Sequence, residues 1–257
     1  MARAPVLRVV EREFTVWRRL WRASVFSAFV TPALFLAAMG LGLGGLVQKG
    51  SGNVDGVSYL EFITPGLLAA TGALMAAGES LWPVMGGVKW MRTYHAAVAT
   101  PVSASDVFGA HLVWVSFRVA LSSAVFLAVA AVLGGVLSPW GVLAIPAAVL
   151  GALALAAPLS AFAITQESDL PFALIMRLGV FPLFLFSGTF FPVSQLPDWL
   201  EPLAVLSPLY HSVELCRMAT TGAFDGAEAA GNLVALAVFI AAGCAWGVRT
   251  FNRKLTQ

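Results

Sequence analysis

Residues 174–217 read LIMRLGVFPLFLFSGTFFPVSQLPDWLEPLAVLSPLYHSVELCR, and the reading of this stretch decides the fold. It opens as a membrane span, breaks at Ser187-Gly188 and again at Pro192, Pro197 and Pro202, yet stays apolar and aromatic. Phe190, Phe191, Leu196, Trp199, Leu200, Leu203, Val205, Leu206, Leu209 and Tyr210 would form a large apolar patch if the segment lay in water. In lipid, the broken backbone would leave polar groups unsatisfied unless it packed against protein. A span followed by short helices that dip back into one face of the bilayer, over about 192–217, meets both limits. The alternative is a loop outside the membrane that packs on its own domain.

Working outward, composition sets the class. The chain has 257 residues, of which 59% are hydrophobic and only 11% charged, and its mean hydropathy is +0.86. Soluble domains carry about a quarter charged residues, so this is an integral membrane protein. Spans of about 20 residues are expected at about 24–47, 63–86, 112–137, 141–165, 174–191 and 229–248. These define an all-α fold of six transmembrane helices in a single domain, 1–257, and leave no room for a soluble catalytic domain. Cys216 and Cys244 are the only cysteines. They are placed for neither a disulfide nor a metal site.

Residues 1–23 read as an amphipathic helix lying in the membrane interface. On a helical wheel Arg8, Glu11, Arg12, Thr15, Arg18, Arg19 and Arg22 share one arc, with Val6, Val10, Trp17 and Trp21 opposite. Glu13 falls near the apolar arc, where a basic group on a neighbouring segment would suit it. In the first span Gly40 and Gly44 have the spacing that lets helices approach closely. Polar loops follow at 48–62 and 87–111, and in the second Ser103 or Ser105 is placed to cap a helix starting near Asp106. Pro182 is expected to kink the fifth span.

Lys and Arg set the orientation. Twelve fall on the side of the N-terminal segment, the 87–111 loop, Arg177 and the tail; Lys49 and Arg217 fall on the other, and Arg118 lies within a span near the basic side. The positive-inside rule places both termini in the cytoplasm, and the broken stretch then faces outward. Glu167 and Asp169 face inward and carry little weight in topology.

No phosphate-binding loop, zinc motif or nucleophile elbow occurs, so the chain offers no catalytic residue, no metal site and no nucleotide site of its own. His95, His111 and His211 lie on three separate segments and read as interfacial polar residues. Glu79, Arg118 and Arg177 lie within or at the ends of spans, where ionisable groups are functional candidates. An ion pair of Glu79 with Arg118 or Arg177 is the plainest reading; a proton relay would need more acids at mid-depth.

Three stretches carry a family likeness: SGTFFPVSQLPDWLEPLAVLSPLYHSVELCR at 187–217, TPVSASDVFGAHLVW at 100–114, and VDGVSYLEFITPGLL at 54–68 preceded by PALFLAAMGLGLG at 32–44. Together, in this order, they resemble the permease subunit of ABC type-2 exporters, in the branch of the nodulation-factor exporter NodJ and the daunorubicin-resistance permeases. One departure is Lys89-Trp90-Met91-Arg92, where many members carry acidic residues.

The resemblance implies two permease subunits, identical or related, forming a pathway in the bacterial inner membrane. Two separate ATPase subunits would hold ATP and Mg beneath them. It implies that the N-terminal helix and the 87–111 loop couple to the ATPase, with Arg18, Arg19, Arg92, Thr100, Pro101, Ser103 and Asp106 as contacts. Phe190, Phe191, Pro192, Pro197, Trp199, Leu200, Pro208 and His211 would shape the exit. Membrane lipid is the other partner, and nucleic acid is not one. The cargo implied is amphipathic: a drug, a lipid or a lipid-linked glycan. A stand-alone ion-coupled transporter relying on Glu79, and a membrane scaffold without transport, are the rival readings.

Overall fold

A computed structural model describes residues 5–44, 54 and 56–256, with side chains described for all of these except 20–29, 31–33, 41 and 43. Lys49, most of the polar part of the 48–62 loop, and the end of the expected first span at 45–47 lie outside the described residues. All regular elements among the described residues are helical.

Helix α1, Pro5–Phe35, continues without interruption into a π-helical stretch, Leu36–Leu43. The expected boundary near residue 23, between an interfacial helix and a first span, does not appear. The reason is legible in the chain: between Val6 and Thr31 there is neither glycine nor proline, so nothing ends the helix. The charge pattern had marked which face is polar; it said nothing about where the helix stops.

Helix α2, Tyr59–Met85, starts from a capping box in which Ser58 N–H donates to Glu61 Oε2 at 2.7 Å and Glu61 N–H to Ser58 Oγ at 3.4 Å. Beyond Pro83 it widens into a π turn, Gly86–Trp90, closed by Met91 N–H on Gly86 C=O at 2.8 Å. The short α3, Thr93–Val98, follows, then α4, Ala104–Val132, which ends before Gly134 at φ +82. Residues 139–143 make a 3-10 turn into α5, Ala144–Ala163. Next come α6, Leu170–Ile175, a π turn Met176–Val180, and α7, Phe181–Phe186. The one-turn α8 is Glu201–Val205, α9 is Pro208–Thr221 and α10 is Gly226–Leu255.

Four of these units are long and apolar enough to cross a membrane: Tyr59–Trp90, Ala104–Val132, Pro139–Ala163 and Gly226–Leu255. The apolar run Leu170–Phe186 is shorter. The third span expected at 112–137 is shifted toward the N-terminus, because the Ser103 cap starts the helix at Ala104 and Gly134 ends it. The apolar run expected to form the fifth, 174–191, stops at Phe186, at the Ser187-Gly188 break.

Helix α2 is the central strut, 72% buried over its most apolar window against 22% for α10. It packs most extensively along α5, whose Ala148, Ala152 and Ala156 are fully buried, while α10 lies on α5 and α1 on α4. Small side chains let backbones approach and gain dispersion where lipid supplies no hydrophobic drive. Helix α9 and the turn at 187–191 each enter this packing through one close approach. Gly151 of α5 meets Ser212, and a Cβ on Gly66 of α2 would lie 2.6 Å from Thr189 C=O. Ser212 and Cys216 also donate to the Ala147 and Ala144 carbonyls.

The chain after α7 is anchored from within. Ser187 and Ser207 are buried and their hydroxyls meet at 3.0 Å, so residues 188–206 leave the bundle and return to nearly the same point. Ser207 then caps α9, which runs back out until Thr220 C=O accepts from Leu137 and Ser138 N–H.

Replacing Gly66 with valine should push the 187–191 turn off α2 and lower stability by about 1–3 kcal/mol, as overpacking does. Gly231→Ala on α10, where an added methyl meets nothing within 4 Å, should leave it unchanged or raised. Thermal unfolding in detergent reads both.

Candidate functional site

One end of the bundle collects the joints between α2, α3, α4, α5, α6 and α10. The path from α2 turns at Arg92, whose φ of 50 is left-handed, and this turn sets α3 across the end of the bundle. Tyr94 pins α3 there. Its ring lies over Gly87, which has no side chain to keep it off, and 6.1 Å from Phe251, which in turn stands 4.9 Å from Phe108. Burial pushes the Tyr94 hydroxyl well above its usual range, so it stays protonated.

A charged tie closes the same end. Lys89 Nζ donates to the Glu167 carboxylate and, at 3.0 Å, to its carbonyl, while Lys254 Nζ donates to Glu167 Oε1 at 3.1 Å. Three segments far apart in sequence thus meet on one exposed acid. The hydrogen bond from Lys89, then that from Lys254, holds the Glu167 carboxyl below the usual carboxylate range. Sequence reasoning set Glu167 aside as irrelevant to topology; nothing local to QESD signals partners 78 and 87 residues away.

Of the residues singled out for coupling, Arg92 is exposed and lines an open basic cleft with Lys89, His95 and Lys254. Thr100 turns its hydroxyl back onto Ala97 C=O at 2.6 Å, and Pro101 is exposed beside it. Ser103 and Asp106 form a capping box, with Ser103 N–H on Asp106 Oδ2 at 2.9 Å and Asp106 N–H on Ser103 Oγ at 3.1 Å. Arg18 and Arg19 are exposed further along α1 and do not join this cluster.

Glu79 pairs with Arg118 at 3.0 Å. Twenty residues separate it from Tyr59, about 30 Å of helix, so the pair sits one hydrocarbon thickness from the far end of α2 and not at mid-depth. Arg177 is exposed on the run from α6 to α7 and takes no part. Glu13 pairs with Arg12 of its own helix at 2.7 Å, rather than with a neighbouring segment. It lines a cleft with Glu79, Tyr94 and His111.

At the other end Arg217 organises the 187–217 stretch. Nη2 donates to Gly188 C=O at 2.7 Å, Nη1 pairs with Glu214, and the guanidinium lies 4.5 Å over the Phe62 ring. Gly188 takes φ +78 at this point. Charge counting treats Arg217 as a stray cation on the sparse side; its function as a clamp is invisible without the fold. His211 Nδ1 meets Asn232 Oδ1 at 2.7 Å, tying α9 to α10. Pro192 and Pro208 are buried, Phe190 packs on Phe184 at 5.2 Å and Phe191 on Phe186 at 6.5 Å. Leu200 is half-buried and Pro197 exposed, while Trp199 is 72% exposed, the most open aromatic of the loop. Among the described residues no three His, Cys, Asp or Glu side chains converge closely enough to hold a metal ion.

Long apolar helices and a small-residue core define a multi-pass membrane protein. Residues 6–221 match the ABC-2 type transporter family, and the chain belongs to it. It is 29% identical over 250 residues to Nodulation protein J of Sinorhizobium fredii, covering 97% of this chain and 93% of the relative. It is 30% identical over 254 residues to Nodulation protein J of Bradyrhizobium diazoefficiens, with coverage of 97% and 93%. With Nodulation protein J of Rhizobium leguminosarum bv. viciae it shares 30% over 218 residues, covering 84% and 82%.

The Glu167 tie carries a pH signature. Its carboxyl is depressed in the folded state, so its contribution is present above the unfolded value, about pH 4, and is lost as pH falls through the lower folded value. The protection of the residue 86–92 amides, taken relative to their intrinsic exchange rates, should therefore fall modestly on acidification through that window. In Glu167→Gln protection should already stand at the lower level at neutral pH and show no such step.

Proposed function

We propose that the chain is the permease subunit of an ATP-binding-cassette exporter that moves an amphipathic substrate (a drug, a lipid or a lipid-linked glycan) out of the cytoplasm. Two separate ATPase subunits, carrying ATP and Mg, drive it, and a second permease, identical or related, completes the pathway. The observation that carries the reading is α3, set across one end of the bundle by the Arg92 turn and riveted through Tyr94 to α10. A short exposed helix fixed rigidly to two spans is what a soluble motor needs to push on.

On this reading six spans cross the bacterial inner membrane, α1 and the run from α6 to α7 adding to the four longer units, and both termini lie in the cytoplasm. Arg92 and the basic cleft beside it, the turn with Thr100 and Pro101, and the cap of α4 meet the ATPase, with Arg18 and Arg19 on α1 as outlying contacts. The 188–206 loop and α9 re-enter from the outer face, where Phe190, Phe191, Trp199 and Leu200 shape the exit. The clamped Glu79–Arg118 pair near one end argues against a gradient-coupled carrier, which places its acids at mid-depth.

Co-purification of an ATPase subunit with the tagged chain tests the proposal. Arg92→Glu should weaken its retention about tenfold, the scale of a reversed charge at an interface, with membrane insertion intact. Asp106→Arg should do the same and also cost about 1 kcal/mol through the lost cap. Undiminished retention in both would remove the coupling role of this end. Trp199→Ala should keep the ATPase and reduce export; full export would reduce the loop aromatics to packing.

A further inference from the structure

We infer that the cleft between α1, α2, α3 and α4 binds a phospholipid with a primary ammonium headgroup, taken from the leaflet on the α3 side of the bilayer. The cleft opens to the outside and holds about 120 Å³ of free space. Its walls carry the carboxylates of Glu13 and Glu79, the guanidinium of Arg12, and His111. His111 is 7% exposed, and its Nε2 is buried with no hydrogen-bond partner. Thr93, in the same wall, also leaves its buried hydroxyl oxygen without a partner. Buried polar atoms of this kind are normally satisfied, so the cleft is built to receive polar groups that the chain does not supply.

The shape and charge of the cleft choose the ligand. Its acids and His111 do not converge closely enough for a metal ion, so the ligand that fits is extended. Each carboxylate is already matched by an arginine, Glu13 by Arg12 and Glu79 by Arg118. The site is therefore balanced overall and suits a zwitterion better than an anion. An ammonium group gives N–H donors to the carboxylates, and the phosphate reaches Arg12. The orphaned Nε2 takes an N–H from the first or gives one to the second, according to its tautomer. A trimethylated headgroup has no N–H to give.

A groove of about 430 Å³ runs beside the cleft, apolar along Leu7, Val10, Phe14, Val113 and Phe117 with Glu11 as its one acid, and Trp114 belongs to both. A headgroup in the cleft thus leaves its acyl chain on a groove of matching character. The depth agrees, since Glu79 lies about one hydrocarbon thickness from the far end of α2. The inference needs only that the chain sits in a bilayer and does not depend on export.

The test is native mass spectrometry of the full chain, purified in mild detergent and exposed to equal amounts of phosphatidylethanolamine, phosphatidylcholine and phosphatidylglycerol with identical acyl chains. The expected result is retention of the ethanolamine lipid roughly fivefold over the other two, the scale of one or two charge-assisted hydrogen bonds. His111→Leu and Glu13→Gln should each bring that ratio to parity, while His111→Gln, which keeps a polar atom in place, should preserve part of it. Equal retention of the three lipids by the wild-type chain overturns the inference, as does preference for the glycerol lipid. An unchanged ratio in His111→Leu and Glu13→Gln overturns it too. Should a variant fail to fold, the wild-type chain suffices: retention should fall stepwise along mono-, di- and trimethylated ethanolamine lipids, and a flat series refutes the site.

Discussion

A backbone broken inside an apolar bundle must find partners for its own polar groups, and the region around Ser187 depends on how this chain meets that demand. Water is not on hand to solvate an open carbonyl there. Arg217 reaches back from α9 to the Gly188 carbonyl, Ser187 and Ser207 share a hydrogen bond, and Ser207 caps the returning helix. The guanidinium is in turn neutralised by Glu214 and laid on the Phe62 ring, which lowers the cost of placing a cation there. With these contacts in place, the loop can leave and return while α9 fills the space between α2 and α5.

The opposite end solves a different problem. It has to hold exposed pieces still, and aromatic packing does so where chain connectivity cannot. Tyr94, Phe108 and Phe251 come from three helices, and glycines at 87 and 247 let the rings sit directly on the backbone. The Lys89–Glu167–Lys254 tie lies over this cluster in solvent. Its strength is that of surface ion pairs, modest and reduced by salt, so the rings carry the stability and the charges fix the register.

Much of this was legible in the chain. The Ser187-Gly188 break could be read because glycine and proline punctuate an otherwise apolar run, and the α4 start to within a few residues because Ser103 or Ser105 was placed to cap a helix near Asp106, the fold choosing Ser103. An ion pair of Glu79 with Arg118 or Arg177 was expected from lone charges in apolar surroundings, and the fold selects Arg118. What could not be read depended on distant partners. Nothing near Arg217 names Gly188, nothing near His211 names Asn232, and Glu167 gains its place only from Lys89 and Lys254. The extent of α1 was misjudged for another reason: amphipathic periodicity reports which face is wet, whereas helix ends are set by caps and breakers, and α1 has none between Val6 and Thr31.

That uninterrupted helix has a mechanical consequence. From Pro5 to Leu43 it measures roughly 58 Å, nearly twice the hydrocarbon thickness, and its one irregular portion, the π stretch Leu36–Leu43, lies at the end remote from α3. A bar of this kind does not absorb a sideways push by flexing near the point of contact. Its contact with α4, where Trp17 rests edge-on against Phe117, lies closer to the α3 end than to the other. A rigid helix turned about that contact would move its far end, where Gly40 and Gly44 meet Leu60 and Tyr59, further than its near end and in the opposite direction.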